Sequence, residues 1–425
     1  MDEGNIFSTL SRLARVGSAA GGLATRVVGE KFFGREIKDD IYAKELKNTL
    51  GRLRGPLMKV AQFLATIPEA IPPEYAQEFL ELQSNAPPMG EGFVKRRMSF
   101  ELGPDWQTKF DSFEIKASAA ASLGQVHKAI LPNGKAVACK LQYPQMEKIL
   151  EADLSNLRAF LGVYHAFNKA LDTSEVQKEI SERLHEELDY IQENQNILLY
   201  QNLFKDSSFV KIPQTYPEYS TSRLLTMEWM NGRNLLSYQG DNEETRNQLA
   251  RHLFYAWYEP FYGQGVIHGD PHPGNYLVNE DLSLNLLDFG CVRKFPPPFI
   301  QGVVMLYRAL LEYNLEKTVE AYEAWGFKGL TKAHIEVMNN WAKLLYEPLL
   351  EDKVRPIQRQ YSGAEGWEVA TKVHRELHKL GGIKPPREFV FMDRASVGLG
   401  AVFMRLRANL NWHRMTEEMI ESHPW

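Results

Sequence analysis

The stretch VIHGDPHPGNYLVNEDLSLNLLDFG at 266–290 places polar side chains between short apolar runs that are typical of strands. Asp270 and Asn275 are five residues apart, and Asp288 follows thirteen residues after Asn275. A turn at 279–281 separates two apolar runs, so the pattern predicts a loop, a hairpin and a second loop. Phosphoryl transfer needs one carboxylate that orients or deprotonates the acceptor, and oxygen ligands that hold Mg²⁺ against phosphates. Asp270 suits the first role, and Asn275 with Asp288 suits the second.

Two tripeptides in this stretch match the signatures of protein kinases. Asp288-Phe289-Gly290 matches the metal-binding tripeptide, and His268-Gly269-Asp270 stands where the catalytic loop would be, with glycine in the place of arginine. The alternative is that these Asp and Asn residues only cap turns. The combined spacing, with a hairpin between the parts, favours a kinase-like site. His268 and His272 are expected to support the loop by hydrogen bonding, with contact to substrate or phosphate as the alternative. Neither a cysteine nor a further histidine has zinc-site spacing.

A kinase-like site also needs a lysine that reaches the phosphates of the nucleotide from a strand. Lys140 ends the run AVACK at 136–140, on the second arm of a hairpin predicted around 132–134; the alternative is a surface lysine on an edge strand. The segment ASAAASLGQ at 117–125 precedes this hairpin, in the position of the glycine-rich loop of kinases, but has one glycine. Because alanine restricts the backbone more than glycine does, a stiffer loop is expected. The nucleotide-binding residues predicted in this loop are Ala119, Ala120, Ala121 and Ser122.

The acidic segment 174–203 is expected to supply a glutamate that pairs with Lys140. Its apolar residues recur at steps of three or four, which predicts an amphipathic helix with Ser174 as its cap. These apolar residues are Val176, Ile180, Leu184, Leu188 and Ile191. Asp189 and Glu193 are one turn apart and share a helix face, whereas Glu187 points elsewhere. The segment 210–232 predicts two further strands. Glu228 and Trp229 within it are assigned to nucleotide binding.

The composition is that of a globular protein. The 425 residues, 44% of them hydrophobic, provide for a buried core and two or three domains. The net charge of −5 argues against a general nucleic-acid binder, because neutralising phosphates needs a basic surface. Two cysteines are too few for a disulfide framework and indicate a reducing compartment. The sequence has no run of about 18 apolar residues, so a membrane-spanning helix is not expected. The sparse amphipathic pattern at 5–30 fits either a helix on a membrane surface or a loosely packed terminal helix.

Four regions follow from changes of pattern along the chain. Residues 1–44 are predicted to be an amphipathic or mobile segment, and 45–110 a helical extension interrupted by prolines. Residues 111–230 are predicted to form a strand-rich lobe with a helical insertion, and 231–425 a helix-rich lobe. The helical patterns of the last region lie near 243–263, 297–325, 332–350, 367–379 and 387–409.

These features together resemble the UbiB/ADCK (AarF-type) family of atypical kinase-like proteins, which are linked to ubiquinone (coenzyme Q) biosynthesis. The resemblance is carried by the alanine-rich loop, the VACK lysine, ELDY at 187–190, and HGDPHPGN followed by LLDFG. The segment 57–89 resembles the Lys-x-Gly-Gln signature of the family and the residues after it, which ordinary protein kinases lack. The signature glycine is Ala61 here. The resemblance covers residues 45–410 approximately.

The resemblance implies an α+β fold, two-lobed and protein-kinase-like, with the N-terminal helical extension packed over the active site. It implies that Lys59 and Gln62 are the regulatory signature residues and that Glu187 and Asp189 are their acidic counterparts. Glu193 becomes the partner of Lys140, with Glu187 as the alternative partner. Because an extension in that position obstructs a protein substrate, ATP hydrolysis or phosphorylation of a small molecule is expected before protein phosphorylation.

The resemblance further implies an Mg²⁺-dependent ATPase or phosphotransferase that supports ubiquinone biosynthesis, with ATP and Mg²⁺ as cofactors and Asp270 and Lys140 as catalytic residues. The expected partners are ATP, an anionic phospholipid surface, and quinone-pathway intermediates or enzymes. Nucleic acid is not expected, and a homodimer is left open. The expected location is cytoplasmic, with peripheral contact at the inner face of a membrane left open.

Two alternative functions stay open at this point. A small-molecule kinase of the aminoglycoside or choline type also uses an HGDxxxxN loop, but it would not need the extension at 57–89 together with the alanine-rich loop. The other alternative is a non-catalytic or weakly catalytic nucleotide-sensing scaffold for biosynthetic enzymes. Retention of the catalytic residues argues against a dead site, although it is compatible with a regulatory ATPase.

Overall fold

The structure is a computed structural model that describes residues 89–423, apart from 121–122, 153, 156–177, 179–180, 183, 358–371, 374, 378, 382 and 384–385. Several sequence predictions therefore lie outside the described residues. These are the amphipathic segment 1–44, the placement of the extension over the active site, the predicted cap Ser174, and the predicted roles of Lys59, Ala61, Gln62, Ala121 and Ser122.

The described elements form a strand-rich first part followed by a helix-rich second part. The helices are α1 (Glu91–Leu102), α2 (Tyr190–Leu203), α3 (Glu243–Gln264), α4 (Pro297–Leu311), α5 (Leu315–Ala324), α6 (Lys332–Tyr346), α7 (Arg387–Leu406) and α8 (Trp412–Ser422). The strands are β1 (Ser112–Phe113), β2 (Ala119–Ala120), β3 (Gly124–Ile130), β4 (Ala136–Gln142), β5 (Val210–Lys211), β6 (Leu224–Glu228), β7 (Arg233–Asn234), β8 (Val266–His268), β9 (Tyr276–Val278), β10 (Leu284–Leu286), β11 (Val292–Lys294), β12 (Arg355–Pro356) and β13 (Asn409–Leu410).

The first lobe contains an antiparallel sheet in the order β1-β3-β4-β6, with β2 paired to β3. Its centre is the hairpin β3–β4, which runs from Gly124 opposite Gln142 to Ile130 opposite Ala136 and confirms the hairpin predicted around 132–134. Gly134 takes φ +81 at the turn, a conformation that glycine adopts without a steric cost. This hairpin places Lys140 in the interior of the sheet.

The side chains of β4 pack on both faces of the sheet. Val137, Cys139 and Leu141 are buried in a cluster with α1 and the short helix Trp106–Lys109, which cover the outer face. Side chains alternate along a strand, so Lys140 lies on the opposite face. Because both faces are covered, β4 has the nearly unbroken apolar run seen in its sequence.

The second lobe surrounds the long helix α3 and a small sheet in the order β5-β10-β9-β7. Asn242 caps the start of α3, and Gly265, at φ +69, ends it. The sequence predicts that the first lobe extends from 111 to 230, which includes β5 and β6. In the structure β6 pairs with β4, whereas β5 runs parallel to β10, with Val210 opposite Leu284. A two-residue strand carries too little pattern to select its sheet, so tertiary packing decides the pairing. The lobe boundary at 230 stays a prediction.

Two predicted helices are interrupted. The helix predicted over 174–203 breaks at 187–189, where the Asp189 side chain accepts hydrogen bonds from the amides of Ile191 and Gln192 and starts α2 anew. Ile191 is consequently 54% exposed instead of lying in the core. The pattern at 297–325 is divided into α4 and α5 by a turn before the cap residue Asn314. The helices predicted near 243–263 and 387–409 are confirmed as α3 and α7. Within the described part of the chain, no helix has the length and apolar character needed to cross a membrane.

Candidate active site

The predicted order of loop, hairpin and second loop is confirmed in the second lobe. Asn275 ends the first loop just before β9, and Asp288 begins the second loop two residues after β10. β9 and β10 pair antiparallel, with Leu286 opposite Tyr276. β8 and β11 flank the hairpin and pair with each other, with Val292 opposite His268. The two pairings bring both loops to the same end of the lobe.

Lys140 contacts two carboxylates, one on α2 and one on the second loop. Its Nζ lies 2.7 and 2.9 Å from the two carboxylate oxygens of Glu193 on α2, and 3.2 Å from Oδ2 of Asp288. The ammonium also lies 5.3 Å from the ring centre of Tyr190. The structure thus brings together three of the predicted site residues, and it places Glu193 rather than Glu187 in the ion pair with Lys140.

Burial and charge act against each other in this cluster. Burial lowers the pKa of Lys140, but the carboxylates of Asp288 and Glu193 outweigh burial and hold this pKa well above its usual value. Burial and, to a smaller extent, the adjacent Asp288 raise the pKa of Glu193, Lys140 lowers it, and the net result is a pKa of about 7. The Lys140 ammonium therefore lies between two carboxylates, those of Glu193 and Asp288.

The acidic residues at 187–189 take different positions. A methyl group built on Gly290 would lie 3.3 Å from Oδ1 of Asp288, 3.7 Å from Oε2 of Glu193 and 3.9 Å from Cγ of Glu187. Glu187 therefore reaches the edge of the carboxylate cluster. Asp189 is exposed and its carboxylate caps α2. The sequence spacing predicts that Asp189 and Glu193 share a helix face, but Asp189 is the cap residue that precedes the first turn of α2. The proposed regulatory roles of Glu187 and Asp189 stay predictions.

The first loop is held by short-range hydrogen bonds around Asp270. The Oδ1 atom of Asp270 accepts from the amide of His272 at 3.3 Å, and Nδ1 of His272 accepts from the amide of Gly274 at 3.1 Å. The side-chain amide of Asn275 donates to the carbonyl of Asp270 at 3.3 Å. Since this nitrogen is engaged, the Asn275 side chain offers its oxygen as a metal ligand.

His268 connects the two loops. Its Nε2 donates to the backbone carbonyl of Asp288, and its Nδ1 accepts from the amide of Asp270 at 3.3 Å. This pattern requires the neutral Nε2–H tautomer, and the ring is almost fully buried, with 1% of its surface exposed. The supporting role expected for His268 is confirmed by these contacts.

Helix α7 explains why glycine stands at 269. A Cβ at this position would lie 2.1 Å from Cζ of Phe391 on α7 and 2.7 Å from the sulfur of Cys291. Two turns further along α7, a Cβ on Gly398 would lie 2.5 Å from Cγ of Pro271. The helix therefore lies directly against the residues on both sides of Asp270, and no space is left for the arginine of protein kinases.

The residues assigned to nucleotide binding lie along the first sheet. Ala119 and Ala120 form β2 opposite Val126 and Gln125, so this part of the alanine-rich segment is a strand rather than a loop. The amide of Glu228 donates to the carbonyl of Gln214 at 2.7 Å, and that of Trp229 donates to the carbonyl of Ala136 at 3.0 Å. Any contact of Glu228 or Trp229 with a base would therefore use atoms other than their amides.

The donor set fits Mg²⁺ held together with a nucleotide. Within the described residues, no group of three or more His, Cys, Asp or Glu side chains forms a metal cage. Magnesium in phosphoryl-transfer sites takes one or two protein oxygens and completes its shell with phosphates and water. Asp288 and Asn275 can supply those protein oxygens.

Two residues of this site carried no sequence signal that pointed to it. Asn196 donates to the carbonyl of Phe289 at 2.8 Å, and Phe391 packs on Gly269. Each looks like an ordinary helix residue in sequence.

Comparisons with known proteins agree with this geometry. The profile of the ABC1 atypical kinase-like domain matches residues 81–322. The chain is 31% identical over 329 residues to the mitochondrial atypical kinase COQ8 of Saccharomyces cerevisiae, covering 74% of this chain and 65% of that protein. It is 28% identical over 446 residues to the mitochondrial atypical kinase COQ8B of Danio rerio, covering 97% and 69%. It is 31% identical over 299 residues to the chloroplastic protein ACTIVITY OF BC1 COMPLEX KINASE 8 of Arabidopsis thaliana, covering 68% of this chain and 39% of that protein.

A solved structure gives the same result for the fold. The complex of Rv3197 with erythromycin, from Mycobacterium tuberculosis, matches 93% of this chain and 98% of its own chain with a TM-score of 0.60 and 27% identity. The predicted α+β kinase-like fold and the predicted family are confirmed by these matches. The chain belongs to the family of ABC1 atypical kinase-like proteins.

Proposed function

We propose that the protein is an Mg²⁺-dependent ATPase or phosphotransferase that supports ubiquinone biosynthesis at a membrane surface, acting on lipid or small-molecule intermediates. The ion pairs of Lys140 with Glu193 at 2.7 Å and with Asp288 at 3.2 Å carry the proposal. In kinase-like sites, a lysine of this kind contacts the nucleotide phosphates and the Asp of the DFG tripeptide holds the metal.

Each residue then has a defined task. Glu193 orients Lys140 towards the phosphates, Asp288 and Asn275 supply oxygen ligands, and Asp270 orients or deprotonates the acceptor. Mg²⁺, when bound, neutralises charge on the transferred phosphoryl group. With metal and nucleotide bound, Asp288 would turn from Lys140 to the metal, and Lys140 would contact the phosphates.

Two observations support a small acceptor over a protein. Protein kinases carry their activation loop after the DFG tripeptide. Here residues 291–296 complete the connection from Gly290 to α4, and β11 is engaged in pairing with β8. Rv3197, which has a similar fold, was solved with the macrolide erythromycin, a small molecule rather than a peptide. The link to ubiquinone rests on the family resemblance and on relatives named COQ8.

The first test is ATP turnover by the purified full chain, measured over a Mg²⁺ titration with and without anionic liposomes. Asp288→Asn is expected to lower metal-dependent turnover by about 100-fold, because an amide replaces a charged ligand. Asp281→Asn is the matched control, since Asp281 lies on the same hairpin but pairs with Lys211. Equal turnover of the Asp288→Asn variant and wild type would show that the metal site is assigned wrongly.

A second candidate function is a nucleotide-sensing scaffold for biosynthetic enzymes. The direct contact between Lys140 and Asp288 favours it, because nucleotide binding must rearrange that contact. The two candidates are distinguished by quinone profiling after gene disruption and complementation with Asp270→Asn. If a variant that binds nucleotide but does not turn it over restores quinone, the scaffold is supported. If quinone stays absent, catalysis is required. An unchanged profile after disruption would contradict the pathway assignment.

A further inference from the structure

The linker between the lobes is packed tightly on the hairpin β9–β10. It leaves β6 at Glu228 and reaches β7, where Arg233 lies opposite Val278 of β9. Gly232 in the linker has φ +147, and a Cβ there would lie 2.8 Å from the carbonyl oxygen of Val278. Only glycine fits this approach. The linker and the hairpin are therefore in direct contact along β9.

A buried amide on β10 makes the second contact. Asn285, with 1% of its surface exposed, donates through Nδ2 to the carbonyl of Asn231 at 2.6 Å. Its other N–H donates to Oδ1 of Asn279 at 3.0 Å, and its own Oδ1 accepts from Nδ2 of Asn279 at 2.9 Å. A flipped Asn285 amide would face the Asn231 carbonyl with oxygen, so the network fixes its orientation.

The position of Asn285 gives this contact a functional meaning. It lies three residues before Asp288, on the hairpin whose other strand begins just after Asn275. Asn231 lies two residues after Trp229, which is assigned with Glu228 to the base end of the nucleotide site. One side chain therefore connects the segment that meets the base with the segment that carries the metal ligands.

We propose that Asn285 is a positioning residue for nucleotide binding: it holds the inter-lobe linker against the metal-bearing hairpin, so that the base end and the metal end of the site keep a fixed separation. This inference rests on the proposed function, because it assumes that Glu228, Trp229, Asn275 and Asp288 bind one Mg²⁺-nucleotide complex. A nucleotide that contacts both segments needs them at a fixed separation. Without the Asn285 contact, nucleotide binding must also order the linker, which weakens the binding.

Ser283 is the matched control within the same network. It is as buried as Asn285, donates through Oγ to Asp281 at 2.5 Å, and accepts from Asn279 at 2.9 Å. None of these hydrogen bonds reaches the linker. Ser283→Ala removes a comparable buried hydrogen bond from the hairpin and leaves the Asn231 contact in place.

The experiment compares Asn285→Leu, Gly232→Ala and Ser283→Ala in the full chain. Gly232→Ala disturbs the linker where it contacts the Val278 carbonyl of β9. It therefore tests the contact between linker and hairpin if Asn285→Leu fails to fold. Both linker variants are expected to raise the KM for MgATP about tenfold and to change kcat by less than about twofold. Ser283→Ala is expected to change neither constant. Hydrogen exchange of the linker amides without nucleotide is expected to be faster in the linker variants than in wild type and Ser283→Ala.

The results separate this inference from the proposed function. Equal linker exchange in Asn285→Leu, Gly232→Ala and Ser283→Ala would overturn the inference, as would a fall in kcat with KM unchanged. If wild type neither binds nor hydrolyses MgATP, the proposed function fails. The exchange measurement would then still report whether Asn285 holds the linker, and the positioning role in nucleotide binding would fall with the function.

Discussion

The Lys140 cluster and the Asp270 loop are two halves of one site that are held by different forces. The partners of Lys140 lie 53 and 148 residues away in the chain, and their attraction is between charges in a buried environment. The three hydrogen bonds described above at Asp270 and His272 span two to five residues, and each has a backbone group as one partner. The loop therefore keeps its shape through its own chain, whereas the cluster exists only when α2, the first sheet and the second loop are docked together.

This difference has a consequence for regulation. A displacement of α2 breaks the pair of Glu193 with Lys140, but it leaves the hydrogen bonds around Asp270 intact. Loss of activity by movement of one lobe against the other is thus expected to occur at the cluster. His268 and Phe391 are the points where the locally formed loop also depends on distant segments.

The largest effect is expected at the cluster. Glu193→Gln keeps the size of the side chain but removes one of the two charges that hold Lys140. Breaking one arm of a buried charge cluster is expected to lower ATP turnover about 100-fold, because Lys140 is no longer held towards the phosphates by Glu193. Turnover assays measure the change. Turnover at the wild-type level would show that the distant charge pairs do not control the site.

The Glu193→Gln variant also tests how the free energy of unfolding depends on pH. Because the pKa of Glu193 is raised from 4.5 to about 7, the folded state without ligand binds a proton that the unfolded chain has already released between these values. The contribution of Glu193 to stability is therefore largest below pH 4.5 and is lost as the pH rises to about 7. The unfolding free energy of wild type should therefore fall relative to that of Glu193→Gln as the pH rises over that range. A wild-type value that rises relative to the variant would contradict the raised pKa.

An intermediate effect is expected where the two halves meet. His268→Phe keeps an aromatic ring in the same space but removes both hydrogen bonds, to the Asp288 carbonyl and from the Asp270 amide. We expect turnover to fall about tenfold, with folding retained. His268→Gln, which can donate to the Asp288 carbonyl, is expected to recover part of the loss. Equal turnover of both variants and wild type would mean that the loops keep their positions without this bridge.

The smallest effect is expected at the start of α2. Asp189→Ala removes the helix cap and is expected to cost about 1 kcal/mol of unfolding free energy, measured by urea denaturation. Asp189→Asn keeps the cap but removes the charge, so its stability should match that of wild type. If Asp189→Asn loses activity while its stability is unchanged, the charge itself is used at the site, as the resemblance to the family implies. If both variants are stable, the cap does not hold α2.

Much of the local architecture was predictable because short segments of the sequence specify it. The β3–β4 hairpin follows from strand patterns on either side of a Pro-Asn-Gly turn, and the Asp270 loop follows from side chains that bond to neighbouring amides. The pairing of Lys140 with Glu193 was predicted from the family resemblance. The interruption of the helix at 187–189 was missed, because Leu188 and Ile191 continue the apolar spacing although Asp189 caps a new helix.

By itself, the sequence determined the family, the two kinase-like loops with their hairpin, and the residue types that suit phosphoryl transfer. Only the tertiary structure decided that β5 joins the second sheet, that Phe391 closes the space beside Gly269, and that Asn285 holds the linker at Asn231. The reason is physical. Helix caps, turns and strand alternation depend on neighbours in the chain, whereas these three contacts join segments that meet only after both lobes have packed, and no local pattern specifies which partner will be there.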